Sequence, residues 1–314
     1  MPTEDELAAM APEDRARWTE ENIAKLKPDE LARLKQDSSF GTGFIVLFPE
    51  ERLGNRVSFK YLVTNRHVVQ PGIEKGRPCM VVNYSISVNR RGTAADPAPR
   101  LQSLPASPAG LWVFPNDDSV DLAATQFGIS EDDFDFMGIP IDLFVTQEMI
   151  QKNEVVEGDP VLFTGLFIQY SGATRLEPVV RSGAIAMLPT EPIETTLRRL
   201  GHVYLAEAHA FGGNSGSPMF VDVTKFKNGI GFDYKFLGVV TGEIQETEDL
   251  TLKVTTTYKG TVSANSNVSV IVPAFEVKDL LMQQEFQRLR DAYVASHPAQ
   301  PPPASSPAAP SQTK

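Results

Sequence analysis

Ser215 stands in a glycine-rich segment that suits a nucleophile. Residues 211–218 read FGGNSGSP, so glycines lie close to the serine on both sides. A serine hydroxyl is a poor nucleophile at neutral pH, and it needs a base to accept its proton and a third group to orient that base. The chain has four histidines, of which His67 directly follows a strand-like run, and Asp121 lies between His67 and Ser215 in sequence. These three residues are therefore candidates for nucleophilic hydrolysis.

The order of the three side chains narrows the class of enzyme. His67, Asp121 and Ser215 follow the order of chymotrypsin-type peptidases, whereas subtilisins and α/β-hydrolases use other orders. Taken singly, each has an ordinary explanation: a hydrogen-bonded histidine, an acid in an acidic loop, and a tight turn rich in Gly and Asn. Their occurrence together in this order weakens all three explanations.

The glycines beside Ser215 also have a chemical use. Backbone N–H groups near a nucleophile must converge on the oxyanion of the tetrahedral intermediate. This requires a cramped backbone, often with positive φ, which glycine adopts without steric penalty. The N–H groups of Gly213 and Ser215 are the predicted donors of this oxyanion hole.

Composition and charge exclude several other functions. The chain has 314 residues, of which 41% are hydrophobic, so it can bury a sizeable core. Its net charge of −11 argues against nucleic acid or an anionic membrane as a main partner. The single cysteine, Cys79, excludes an internal disulfide and a thiolate metal site. Residues 115–136 are acidic but lack the spacing of a calcium loop, so no metal or other cofactor is expected.

The sequence carries no sign of membrane insertion or export. No apolar run is long enough to span a bilayer, and the acidic first residues lack the basic start and apolar core of a secretion signal. We therefore expect a cytoplasmic protein. A periplasmic or secreted form whose signal had been removed would look similar, and the sequence does not determine the oligomeric state.

From Phe40 onward, short β-type runs alternate with turn residues, which predicts an all-β sandwich or barrels. The stretch at 93–108 is rich in Ala, Pro and Ser and is expected to be a surface loop. The expected strands cover 41–48, 58–64, 80–88, 122–127, 160–166, 179–187, 203–208, 218–221, 236–241 and 268–272.

The two ends of the chain have a different texture. Residues 1–37 are predicted to form a helical extension, and a second helical segment is expected at 273–293. Residues 298–314 are rich in Pro, Ala and Ser and are expected to be disordered. The resulting division is an N-terminal extension to residue 37, a main domain over 38–285, the end of the helix at 286–297, and the tail.

Several segments together resemble chymotrypsin-like serine peptidases, most closely the disulfide-free bacterial HtrA/Deg branch. TNRHVV at 64–69 resembles its histidine motif, DLA at 121–123 its aspartate strand, and GNSG at 213–216 its serine motif. The segments GDPV, RSGAI and LGVVT, at 158–161, 181–185 and 237–241, are also similar to segments of that branch.

This resemblance implies an all-β fold of two six-stranded antiparallel barrels, with the triad in the cleft between them and added helices at both ends. By the same resemblance, His67 is general base and then acid, Asp121 orients it, and Ser215 forms an acyl-enzyme with a protein or peptide substrate. The match departs from the branch at Ser217 and Pro218, and no PDZ-like peptide-binding segment follows in this sequence.

The resemblance also suggests the residues of a substrate pocket. His209 lies six residues before the nucleophile, at the expected pocket floor, and Val240, Thr241 and Gly242 form one wall. Because no aspartate occupies the floor position, a buried Arg or Lys side chain would lack a partner. We therefore expect small or medium apolar side chains at the cleavage site.

Two other functions were weighed. A catalytically silent module with the same fold would bind proteins or act as a chaperone-like domain. A lipase or esterase requires a Gly-x-Ser-x-Gly elbow in an alternating α/β chain, and here Ser217 stands where the last glycine should be. A serine endopeptidase remains the favoured interpretation.

Overall fold

The structure is a computed structural model. It describes residues 40–53, 57–70, 72–74, 77–79, 85–92, 100–105, 112–167, 172, 174–224, 233–253 and 257–297. The predicted N-terminal helices at 1–37 and the predicted disordered tail at 298–314 lie outside the described residues. No helix in the described part of the chain combines the length and apolar character needed to cross a membrane.

The described elements are mostly short strands. The strands are β1 (Phe44–Pro49), β2 (Ser58–Thr64), β3 (Gly72–Glu74), β4 (Arg77–Cys79), β5 (Ser85–Arg90), β6 (Arg100–Pro105), β7 (Ala123–Gln126), β8 (Ile139–Pro140), β9 (Pro160–Gly165), β10 (Val179–Met187), β11 (Ile193–Glu194), β12 (Leu200–Gly201), β13 (Tyr204–Glu207), β14 (Pro218–Asp222), β15 (Tyr234–Lys253) and β16 (Thr257–Pro273). The helices are α1 (Arg66–Val69), α2 (Gln147–Gln151), α3 (Ala274–Leu281) and α4 (Gln284–Ser296), with 3-10 turns at Glu51–Leu53 and Ile141–Leu143.

Six strands of the C-terminal half close into an antiparallel barrel in the order β10-β13-β16-β15-β14-β9. Side chains alternate between inside and outside with the period of two that strands impose. In β9, Val161 and Phe163 are buried in the barrel core, as are Met219 and Val221 in β14. The barrel therefore supports the turn that contains Ser215 and leads into β14.

The N-terminal half is built on a four-stranded sheet in the order β7-β2-β1-β8, with separate hairpins β3–β4 and β5–β6. Within it, β1, β2 and β7 pair in antiparallel fashion and β8 runs parallel to β1. The resemblance implied a second six-stranded barrel here. Among the residues that the structure describes, the C-terminal barrel is the only closed one.

Both faces of this sheet are covered by apolar packing. Phe44 and Val46 lie in a core cluster shared with the outside of the barrel and the C-terminal helices. Ile45 and Leu62 lie in a second cluster on the other face, where Ile86 packs against them from the β5–β6 hairpin. The apolar residues of the sheet are therefore buried by the barrel, the helices and a hairpin.

The C-terminal helices pack against the N-terminal sheet. Phe286 of α4 is buried with Tyr61 of β2, at a ring-centroid distance of 4.8 Å. Arg290, which is 4% exposed, donates hydrogen bonds to Tyr61 Oη at 3.0 Å and to the Leu281 carbonyl at 2.9 Å. The expected single helix at 273–293 is thus two helices, joined at Met282 and Gln283.

The structure differs from the strand predictions in several places, and strands β3, β4, β8, β11 and β12 lie outside every expected strand. Arg100–Pro105, inside the expected surface loop, is strand β6 and pairs with β5. Its Leu104 pairs with Ile86 of β5, and both side chains pack against the same apolar cluster, a pairing that the Pro- and Ala-rich surroundings of β6 concealed. The strands expected at 236–241 and 268–272 are parts of one long hairpin, β15–β16, whose pairing continues to Lys253 and Thr257.

Candidate active site

His67 lies at the junction between strand β2 and helix α1. Strand β2 ends at Thr64, and the extended Asn65 precedes α1, which carries His67 and the buried Val69. The buried Asn65 side chain donates from Nδ2 to the main-chain oxygen of Asp121 at 2.8 Å. The junction between β2 and α1 is therefore fastened directly to the residue that faces His67.

Asp121 binds His67 through both of its carboxylate oxygens. Oδ1 accepts from the His67 main-chain N–H at 3.0 Å, and Oδ2 lies 2.6 Å from His67 Nδ1. An ionised carboxylate can only accept, so Nδ1 carries the proton and Nε2 keeps its lone pair. The Asp121 side chain is 1% exposed and that of His67 is 34% exposed, so the free nitrogen belongs to a ring that substrates can reach.

The environment keeps Asp121 ionised. Burial alone would raise the pKa of this carboxyl group. The hydrogen bonds from His67 and Thr241, together with attraction to the His67 ring, outweigh burial and hold the pKa of Asp121 below its ordinary value. The carboxylate is therefore available as an acceptor at neutral pH.

A pair of threonines completes the shell of Asp121. The buried Thr241 hydroxyl donates to Asp121 Oδ2, and Thr196 Oγ1 lies 3.1 Å from Thr241 Oγ1. A hydroxyl has one hydrogen, and that of Thr241 is used on Asp121, so Thr196 is the donor in the second bond. The arrangement is a hydrogen-bonded line that runs from Thr196 through Thr241 and Asp121 to His67.

The turn that contains Ser215 is closed by Asn214. The Asn214 main-chain N–H donates to the Phe211 carbonyl at 2.9 Å, and Asn214 Oδ1 accepts from the Phe211 N–H at 2.9 Å. Asn214 Nδ2 reaches outside the turn to the Leu166 carbonyl at 2.8 Å. Gly213 has φ of 94°, which a left-handed turn position requires. Asn214 therefore closes the turn against Phe211 through its main chain and its side chain. Its side chain also binds the turn to the residue that follows β9.

Two main-chain amides of this turn have no protein acceptor. Neither the Gly213 N–H nor the Ser215 N–H donates a hydrogen bond to any residue that the structure describes. Gly213 is buried and Ser215 is partly buried. Both amides, which flank Asn214, are therefore free to donate to an external acceptor.

Thr42 connects the serine turn to the histidine strand. Its main-chain N–H donates to the Ser215 carbonyl at 2.7 Å, and its hydroxyl donates to the Gly213 carbonyl at 2.8 Å. Its own carbonyl accepts from Thr64 Oγ1 at 2.7 Å, three residues before His67. The segment that leads into β1 therefore holds the two halves of the site together.

The side chains of His67 and Ser215 are brought to the same region but are not joined. In the part of the chain that the structure describes, His67 makes its side-chain hydrogen bond with Asp121, and no hydrogen bond connects its ring to Ser215 Oγ. The link between the two halves runs through the main chain of Thr42 and through Val240, whose carbonyl accepts from the Gly216 N–H at 2.8 Å.

The predicted pocket residues occupy different environments. His209 is exposed, and its ring stacks on Phe211 at 4.4 Å between centroids. Val240 is buried in the barrel core, and Gly242 faces Thr196, whose Cγ2 would lie 3.0 Å from a Cβ at that glycine. Thr241, predicted as a wall residue, turns its hydroxyl to Asp121.

Sequence reasoning missed three residues that shape the site. Thr42, Thr196 and the side chain of Asn65 each make hydrogen bonds to residues far away in sequence. Asn65 belongs to the histidine motif and could have been proposed from it. Thr42 and Thr196 carry no local signal, because their roles depend on which segments the fold brings together.

Comparisons with known proteins give similar structures but no sequence family. No protein-family model matches the chain, and no curated protein matches it. Similar solved structures include the active form of the Rv3671c protease from M. tuberculosis, with 14% identity over 79% of this chain and 82% of that one, at a TM-score of 0.36. Deg5 has 17% identity over 69% and 88%, at a TM-score of 0.36. The HtrA-type protease AlgW with decapeptide has 15% identity over 78% and 63%, at 0.37.

Proposed function

We propose that this protein is a serine endopeptidase of the chymotrypsin-like class, related to the HtrA/Deg branch, that cleaves peptide bonds of protein substrates. The observation that carries the proposal is the line from Thr241 through the buried Asp121 to His67, set beside a serine turn with two unpaired amides. A base that is oriented by a buried carboxylate, next to a nucleophile in a glycine-rich turn, is the arrangement that acyl transfer requires.

In the first half of the reaction, His67 Nε2 accepts the proton of the Ser215 hydroxyl as Ser215 Oγ bonds to the carbonyl carbon of the scissile peptide. The carbonyl oxygen becomes an oxyanion, which the N–H groups of Gly213 and Ser215 stabilise. The His67 ring is then positively charged, and the ionised Asp121 stabilises that charge through Nδ1.

In the second half, the protonated His67 gives its proton to the leaving amine as the carbon–nitrogen bond breaks, which leaves an acyl group on Ser215. Water then attacks the acyl carbon while His67 accepts a proton from it. The carboxylic acid product departs as the proton returns to Ser215 Oγ. Each proton is taken up and returned by the same nitrogen, so no cofactor is needed for the balance.

The hydrogen bond from Ser215 to His67 must form during catalysis. Rotation about the Ser215 Cα–Cβ bond exchanges the hydroxyl between staggered positions. Catalytic hydrogen bonds are often long before substrate binds and tighten in the complex. We therefore assign the closing of this contact to substrate binding.

Labelling with a fluorophosphonate tests the proposal. This reagent phosphonylates a serine only when a base activates the hydroxyl and the oxyanion donors are in place. We expect stoichiometric labelling of the wild type and none of Ser215→Ala. Ser296→Ala, at the exposed end of α4, is the matched control and should label like the wild type. Wild-type protein that stays unlabelled although it is folded would contradict the proposal.

The unjoined Ser215 and His67 side chains support a second candidate, a catalytically silent module that binds proteins. Such a module needs the same cleft but no acyl transfer. It predicts that an extended peptide binds wild type and Ser215→Ala with equal affinity and that neither protein is labelled or cleaves the peptide.

We also propose that substrates present small or medium apolar side chains at the cleaved bond. Support comes from the absence of an acid at position 209, because a buried Arg or Lys side chain would lack a partner there. Cleavage of a peptide library should favour residues such as Ala or Val. A profile dominated by Arg or Lys would contradict this.

A further inference from the structure

Arg181 lies against the turn that precedes Ser215 in an unusual way. It is on β10, and Ile185, four residues further along, is buried in the barrel core. Residues four apart on a strand share a face, so the Arg181 side chain also leaves the strand toward the barrel interior. There its guanidinium lies 4.7 Å from the centroid of the Phe211 ring and 5.5 Å from that of Phe167.

The charge of Arg181 is not neutralised by an acid. None of the ion pairs among the described residues includes Arg181. Its Nε is buried and has no hydrogen-bond acceptor. Arg175, by contrast, forms an ion pair with Asp135 at the surface. The neighbours that hold the Arg181 cation are therefore aromatic faces, which attract it through their ring electrons.

Phe211 is the residue through which this stack reaches the catalytic turn. Its ring has the Arg181 guanidinium and the His209 ring as stacking neighbours, the latter at an interplanar angle of 21°. Its main-chain N–H and carbonyl are the two groups to which Asn214 is bonded. A displacement of the Phe211 ring would therefore loosen the turn that presents the Gly213 and Ser215 amides.

We propose that Arg181 is a positioning residue that fixes the oxyanion turn by clamping the Phe211 ring. The clamp keeps Phe211 in place although its side chain is at the surface, 42% exposed. The catalytic consequence rests on the peptidase function proposed above, whereas the effect on the turn does not. Without the clamp, the turn samples arrangements in which the two amides no longer point to one acceptor.

Amide hydrogen exchange measured by NMR tests the clamp without reference to activity. In Arg181→Met, which keeps the length of the side chain but removes its charge, exchange of the Phe211 and Asn214 amides should accelerate by about 2- to 30-fold, the range that one cation–π contact allows. Arg181→Lys should fall between wild type and Arg181→Met. Barrel amides of β13 should exchange as in the wild type, which shows that the variant is folded.

Two further variants separate the clamp from a general loss of charge. Arg175→Met removes an exposed arginine and should leave the Phe211 and Asn214 amides unchanged. Phe211→Leu keeps an apolar residue but removes the ring, and should accelerate exchange as Arg181→Met does. Unchanged exchange of these two amides in folded Arg181→Met would overturn the proposal.

Kinetics of peptide hydrolysis then test the catalytic consequence. A smaller population of the competent turn lowers kcat, by at most the factor by which exchange rises, and leaves KM nearly unchanged. An unaltered kcat with faster exchange would overturn the catalytic role of the clamp. A wild type that hydrolyses nothing, while Arg181→Met still exchanges faster, would overturn the peptidase function and leave the clamp standing.

Discussion

The two halves of the site, around Asp121 and around Ser215, differ in how completely their polar groups are hydrogen-bonded. Around Asp121, every carboxylate oxygen has a donor, Asn65 holds the main chain of Asp121, and Thr196 donates to the donor Thr241. Around Ser215, two amides and one hydroxyl lack protein partners among the described residues. The Asp121 carboxylate is thus fully paired in the free protein, whereas the serine half leaves open the contacts that a reacting carbonyl would fill.

From this difference we expect the two halves to respond differently to substitutions. Groups that are satisfied in the free protein contribute to stability as well as to the orientation of His67. Groups left unsatisfied cost stability and gain partners only in the transition state, which is where binding raises the rate. Substitutions in the aspartate half should therefore affect the base, and those in the serine half the turn that supports the oxyanion.

The largest effect is expected from Asp121→Asn. An amide group that donates to His67 Nδ1 moves the ring proton to Nε2, which then cannot accept from Ser215. We expect kcat for a peptide ester to fall by about 10⁴-fold with little change in KM. A loss of less than about tenfold would show that Asp121 doesn't set the tautomer of the base.

A large effect on stability is expected from Gly216→Ala in the serine half. Gly216 has φ of 88°, and a Cβ there would collide with the Thr42 carbonyl oxygen. We expect the free energy of unfolding in urea to drop by about 3 kcal/mol or more, together with loss of labelling at Ser215. Gly212→Ala is the matched control, since its Cβ would meet nothing within 4 Å, and it should cost about 1 kcal/mol or less.

A smaller effect is expected from Thr241→Val. The substitution keeps the shape of the side chain but removes a donor to the buried Asp121. We expect kcat to fall by about 10-fold and the unfolding free energy by about 1–2 kcal/mol, measured on the same preparation. Thr241→Ser, which keeps the hydroxyl, should recover most of both. Failure of serine to recover either would assign the effect to packing.

The smallest effect concerns Glu276, in the first turn of α3. Burial and, to a smaller extent, the nearby charges of Asp279 and Asp117 together raise the pKa of its carboxyl group to about 7. The folded protein therefore holds this proton more tightly than the unfolded chain, whose pKa is near 4.5, so stability is full below that value and falls as the pH rises through 7.

Replacement of Glu276 by Gln removes this pH dependence. Because the carboxyl is partly exposed to solvent, we expect Glu276→Gln to raise the unfolding free energy by about 1–2 kcal/mol at about pH 8 and to leave it unchanged at about pH 4. Asp117 contributes to this charge cluster and lies in the turn before Asp121. The pH dependence of Glu276 therefore belongs to the aspartate half of the comparison. Equal stability of both proteins at every pH would contradict the assignment.

Local pattern predicted much of the fold and the segments of the candidate site. Strands β2 and β10 have the predicted bounds, because the pattern of apolar residues that indicates a strand lies within each segment. The segments with His67, Asp121 and Ser215 were likewise recognisable from residue type and order. These features depend on neighbours within a few residues.

Features that depend on distant partners escaped prediction. Arg100–Pro105 becomes a strand because β5 lies beside it, and the sheet of the N-terminal half is covered by a hairpin and two helices. The roles of Thr42 and Arg181 arise from contacts with the serine turn. Thr42 lies 173 residues before Ser215, and Arg181 lies 30 residues before Phe211. No window of sequence contains both partners of such contacts.

The most direct measurement is the mass of the protein during turnover of an activated ester, followed by peptide mapping. If His67 activates Ser215, a burst of alcohol product will accompany the addition of one acyl group per chain, located on the peptide that contains Ser215. Asp121→Asn should slow that burst strongly without moving the position of the label. An acyl group on any other residue, or none on folded wild-type protein, would contradict the account.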